Sequence, residues 1–101
     1  MKQIRIDMLA PRRMMVILPR PPDGVRMGAM RSEITNGPMS DSFFMLVDIA
    51  KPIASGLIAR FIYERVAQYD AKRVAINGRE PVDRADFERI VTEEIEIGKN
   101  D

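Results

Sequence analysis

Between Phe43 and Tyr63 the chain is mostly apolar for about 20 residues, and no other feature of its 101 residues limits the fold as strongly. Read as a helix, with residues about 100° apart around the axis, this stretch extends from about Ser42 to Tyr69. Ser40 or Asp41 stands ready to cap it. In the first half Asp48, Lys51 and Ser55 form one narrow polar stripe, while Phe43, Phe44, Met45, Leu46, Val47, Ile49 and Ile53 cover the rest. In the second half Arg60, Glu64, Arg65 and Gln68 point elsewhere, with the change near Ser55 and Gly56. Pro52 either kinks this helix or divides it in two. A helix that is apolar nearly all round must be buried nearly all round.

The elements before and after it define an α+β chain. Gln3 to Leu9 alternates, with Ile4, Ile6 and Met8 against Arg5 and Asp7, as a half-buried strand does. Met14 to Leu18 is a continuous apolar run, so strands at 3 to 9 and 13 to 18 are expected to form an N-terminal hairpin turned at Pro11. From 19 to 40 the composition shifts to Pro19, Pro21, Pro22 and Pro38, with Gly24, Gly28, Gly37, Met27, Met30 and Met39, which predicts a long, flexible, irregular loop. A second hairpin is expected over Arg73 to Val82, because Asn77-Gly78 suits the two positive φ angles of a tight hairpin turn. Pro81 confines its return strand to a sheet edge.

The last helix has the plainest signature. Asp83 can cap it, Asp86 occupies the third helical position, and Val82 and Phe87 are spaced as a hydrophobic staple. Phe87, Ile90, Val91 and Ile95 form its apolar face, and Gly98 ends it. The expected order is therefore hairpin, long central helix, hairpin, amphipathic helix, in one domain.

Composition narrows the chemistry. The chain has no cysteine, which removes disulfides and thiolate metal sites and makes the cytoplasm the default location. It has no histidine, which removes the commonest general base and metal ligand together. The acids show no calcium-loop pattern and the glycines no phosphate-cradling one, so neither metal nor cofactor is expected. One catalytic arrangement remains conceivable: Asp48, Lys51 and Ser55 fall on a single helical face, where a Ser-Lys pair could serve as nucleophile and base. Without oxyanion donors beside a mid-helix serine, the plainer reading is an ion pair on a solvated stripe. Asp48, Lys51, Arg60 and Pro52 also argue against a membrane span.

The charge is nearly balanced overall, at +1, but unevenly spread. Lys2, Arg5, Arg12, Arg13, Arg20, Arg26 and Arg31 outnumber Asp7, Asp23 and Glu33 in the first 40 residues, and acids prevail after them. Arg12, Arg13, Arg20, Arg26 and Arg31, with Met27 and Met30, are the candidate partner-binding residues. The same arginines could hold phosphates, yet Phe43, Phe44, Phe61, Tyr63, Tyr69 and Phe87 all fall in expected helices or at their ends, leaving no base-stacking ring among the cations. The central helix has more apolar surface than so small a domain can cover, so Phe43, Phe44, Val47, Ala54, Gly56 and Ala59 are the candidate contacts of a homodimer or hetero-complex.

At Gly56 through Glu94, an apolar helix rich in small residues leads through Lys72-Arg73 to Val74-Ala75-Ile76-Asn77-Gly78-Arg79 and an acidic helix capped at Pro81-Val82-Asp83. This arrangement resembles the small effector-associated constant components encoded in bacterial conflict systems, over about two fifths of the chain. The resemblance implies an adaptor that joins other proteins, and it assigns no active residue. The expected function is thus a non-enzymatic interaction module, an adaptor or a small inhibitor of bacterial or phage type. A phosphate-binding regulator and a minimal Ser-Lys enzyme are the alternatives.

Overall fold

The alternation at the N-terminus produces the central strand. In the computed structural model, which describes residues 2–11, 20–28, 31–33, 40–50 and 54–99, β1 (Lys2–Pro11) buries Ile4, Ile6, Met8 and Ala10 on one side. Its neighbour is β4 (Ser40–Ile49), antiparallel over all ten residues with Ile6 opposite Met45. β5 (Arg73–Ile76) flanks β1 on the other side, also antiparallel. Two short strands, β2 (Val25–Met27) and β3 (Arg31–Glu33), share the outer edge of β4, pairing with its end and its beginning respectively. The sheet order is β2 and β3, then β4, β1 and β5.

Two helices cover one face of this sheet. α1 (Ser55–Ala67) buries Ile58, Ala59, Ile62 and Val66, and α2 (Arg84–Lys99) buries Phe87, Ile90, Val91 and Ile95. These join the inward residues of β1, Met45, Val47 and Ile49 of β4, Val25 of β2 and Ile76 of β5 in a single core. At roughly 1.5 to 3 kcal/mol per fully buried aliphatic side chain, this burial is the main term opposing chain entropy.

The α+β class agrees with the sequence, but the layout differs from the expected one. The expected helix from Ser42 to Tyr69 is two elements, β4 and α1, with residues 51–53, Pro52 included, outside the described residues. Its apolar density reflects strand alternation in which both faces carry apolar residues: Met45, Val47 and Ile49 point to the core and Phe44 and Leu46 to the other side. A short apolar run does not by itself distinguish a buried strand from a helix, and the β-branched and aromatic content here favours the strand. Among the described residues no helix has excess apolar circumference, so no second chain is needed to cover one. The expected strand at 13 to 18 lies outside the described residues, and β1 pairs with β4 instead. Within 19 to 40, read as an irregular loop, β2 and β3 form regular ladders.

The second hairpin forms only at its turn. Asn77 and Gly78 have φ of 49° and 83°, and Ile76 and Arg79 exchange backbone bonds of 2.8 and 2.9 Å. Beyond that single bridge no return strand follows, and Pro81 supplies no N–H to extend one. At the start of α2, Asp83 Oδ1 accepts the Asp86 N–H at 2.7 Å while Asp86 Oδ2 accepts the Val82 N–H at 3.0 Å, a reciprocal cap. Val82 itself is 87% exposed, so the expected staple with Phe87 is open. The helix continues through Gly98 to Lys99.

Candidate functional site

Because β1 and β4 pair in register, their outward residues make a grid on the face away from the helices. β1 contributes Gln3, Arg5, Asp7 and Leu9, opposite Asp48, Leu46, Phe44 and Ser42 of β4. Arg26 of β2 stands beside Asp48, Arg31 of β3 beside Phe44, and Arg73 and Ala75 of β5 beside Leu9 and Asp7. Both described helices lie in the core cluster on the opposite face, so no described helix covers this grid.

Its centre is an ordered stack. Arg5 Cζ lies 4.1 Å from the centroid of the Phe44 ring. The Asp7 carboxylate accepts hydrogen bonds from Arg5 Nε at 3.0 and 3.1 Å and from Nη2 at 2.9 Å, which fixes the guanidinium over the ring. Gln3 Nε2 donates to Asp48 Oδ1 at 2.9 Å. Phe44, Leu46 and Leu9 are half-buried, so the face combines a modest apolar strip with paired charges. Arg73 lies 3.8 Å from Glu80.

The β5 side of the sheet is tied to α2. Asn77 Oδ1 accepts the Arg5 N–H at 2.8 Å, and Asn77 Nδ2 donates to Glu94 at 2.6 Å. Arg79 reaches Glu93 at 3.0 Å and Glu94 at 3.2 Å, and Arg89 bridges Glu93 at 2.6 Å and also Asp86. Hydrogen bonds from Arg79 and Arg89 hold the Glu93 carboxyl below its ordinary range. The bond from Arg89, seconded by the Val82 N–H, does the same to Asp86.

The sequence-derived candidates are dispersed. Arg26 and Arg31 are exposed on the grid. Met27 packs against the core, and Arg20 lies away from the grid in a shallow cleft with Leu57, Arg60 and Phe61. Arg12, Arg13 and Met30 lie outside the described residues. Of the residues expected at an oligomer interface, Val47 and Ala59 are fully buried in the protomer's own core and Phe43 packs against it. Ala54 is exposed with φ 67° just before α1, Gly56 is exposed in its first turn, and Phe44 lies on the grid. The helical face that would unite Asp48 with Ser55 does not form: Asp48 is in β4, Ser55 Oγ donates to Glu96 at 3.5 Å, and Lys51 lies outside the described residues. Arg5, Asp7, Leu9, Leu46 and Arg73 were not singled out from sequence. The polar half of β1's alternation was the available signal for the first two.

A second concavity, about 370 Å³, opens between α1, β5 and the start of α2, with Tyr63, Val66, Val74 and Phe87 among its lining. The Tyr63 and Phe87 rings meet edge to face at 5.2 Å, and Arg84 lies 4.6 Å above Tyr63. Arg84 is already engaged by Glu88 at 3.3 Å and by Glu64 at 3.8 Å. Among the described residues no cluster of acids could hold a metal ion, and no helix is long and apolar enough to cross a membrane. No family model, curated protein or solved structure matches the chain.

Proposed function

We propose that this chain is a non-enzymatic protein-interaction module whose contact surface is the open face of its sheet. The observation that carries the reading is the set Phe44, Leu46 and Leu9 interleaved with Arg5, Arg26, Arg31 and Arg73 on the face opposite both described helices. Aromatic residues and arginine side by side on a partly apolar face are enriched at protein contacts. The adaptor role implied by the resemblance at Gly56 through Glu94 is consistent with it.

A second reading, binding of single-stranded nucleic acid, is favoured by one specific feature: Phe44 is an aromatic residue on a sheet face beside arginines. The sequence-level objection that no ring accompanies the cations therefore falls. Charge decides against this reading as the first choice. Arg5 is paired with Asp7, Arg73 lies near Glu80, and Arg26 stands beside Asp48, so little net positive potential remains for a polyanion.

The test is capture from the native host with the wild-type chain and with Phe44→Arg as bait, at low and high salt. A protein retained by the wild type at high salt and lost from the variant is the expected result. Nucleic acid that is captured and then released by salt would replace the first reading with the second, and equal capture by both baits would refute the contact surface.

A further inference from the structure

The grid on the open face is complementary to itself, and we infer that its occupant is a second copy of this chain, packed face to face about a two-fold axis that crosses the strands over the Ile6–Met45 pair. This inference rests on the proposed use of the open face for protein contact.

A two-fold axis lying in the plane of the interface, perpendicular to the strands, sets β1 over the β1 of the second copy and β4 over its β4, each reversed in direction. With Ile6 and Met45 on the axis, Arg5 of each copy falls opposite Asp7 of the other. Leu46 falls opposite Phe44, Asp48 opposite Ser42, and Gln3 opposite Leu9. Cation therefore meets anion, aliphatic meets aromatic, and carboxylate meets hydroxyl, with no like charges brought together among these eight positions. Moving the axis along the strands by two residues to the Met8–Phe43 pair would instead set Asp7 opposite Leu9 and Phe44 opposite Ser42, and the complementarity would be lost.

The dimensions permit it. Sheets stack about 10 Å apart, which suits one layer of interdigitated side chains. Two central strands of ten residues with their neighbours offer on the order of 600 Å² per copy at ordinary strand rise and spacing. Two copies would bury about 1,200 Å², at the lower end of specific interfaces. The Arg5 guanidinium is held over the Phe44 ring by Asp7 before any partner arrives, so little ordering remains for the charged pair.

Because each copy supplies both members of the Arg5–Asp7 cross-pair, charge reversal gives a test that folding alone cannot imitate. In an R5D chain both positions are acidic, and in a D7R chain both are basic, so each should repel its own kind. Sedimentation velocity is expected to find the wild type dimeric, each single variant weakened at least about 100-fold, and an equimolar mixture of the two variants dimeric again. The double variant R5D/D7R, which restores the pairing within and between copies, should dimerise as the wild type does. It also serves as the folding control, read by far-ultraviolet circular dichroism. A wild type that stays monomeric at about 100 µM would overturn the inference, as would single variants that dimerise unimpaired or a mixture that does not recover. A monomeric wild type whose host partner is nevertheless lost on Phe44→Arg would refute the second copy and leave the docking reading standing.

Discussion

Gly28, just after β2, lies close against the backbone of β4. Its N–H donates to the Leu46 carbonyl at 2.8 Å, and a Cβ built on it would lie 2.8 Å from that same oxygen, which is backbone and cannot swing aside. Gly56, exposed in the first turn of α1, has nothing within 4 Å of such a Cβ. The two glycines therefore predict opposite signs. Gly28→Ala should destabilise the protein by about 1–3 kcal/mol, through displacement of β2 from β4. Gly56→Ala should stabilise it by about 0.5–1 kcal/mol, through helix propensity and a less flexible unfolded chain. Urea titration of the two variants beside the wild type checks both, and equal effects would contradict the edge packing. At this scale some of the sequence was legible: Asn77 and Gly78 were assigned positive φ from their residue types, and both adopt it. Ala54, at φ 67°, was not, because alanine carries no local signal for a left-handed conformation and only the surrounding chain can impose one.

At the scale of elements, α2 and the turn before it were legible because their signals are local. A cap, a third-position acid and four apolar residues on one face depend on neighbours within a few positions, and all are found. β4 was not, because it carries apolar residues on both faces and its pairing partner is about 40 residues away in sequence. The breakers Pro38 and Pro52 bracket a strand-length segment, and this was the signal that favoured two elements over one. The turn after β5 is tied to α2 by ion pairs and a hydrogen bond, and their pH dependence follows from sign. The Glu93 and Asp86 carboxyls are held below their ordinary values of 4.5 and 3.8, so they bind protons less readily in the folded state than in the unfolded one. Their contribution is complete above those ordinary values and is lost as pH falls through the depressed folded ones. The arginines, already strongly basic, are shifted further upward by the same carboxylates and remain charged throughout, so no alkaline counterpart is expected. Amide hydrogen exchange at Asn77 to Arg79 should accelerate relative to the core below about pH 4, and Arg79→Ala should flatten that dependence. A turn whose relative protection did not change between pH 7 and pH 3 would contradict the role given to these pairs.

For the whole molecule, the consequential fact is that the two described helices serve one side of a sheet whose other side is neither purely polar nor purely apolar. A chain this small places most of its strongly apolar residues in a single core, and what it leaves on the open face is Phe44, Leu46 and Leu9 among paired charges. The sequence indicated an interaction protein by way of a helix that does not form, and the function proposed for the sheet is of the same class but uses a different surface. That surface could not be read in advance, because its members come from five strands and meet only through register. The most direct test places a photo-activatable side chain at a single position and irradiates the protein in its host. Positions 44 and 46 are expected to give a discrete protein adduct, whereas position 57 on α1, where Leu57 is 60% exposed on the helical side, should give none. An adduct from position 57 with none from 44 or 46 would contradict the open sheet face as the surface through which this protein works.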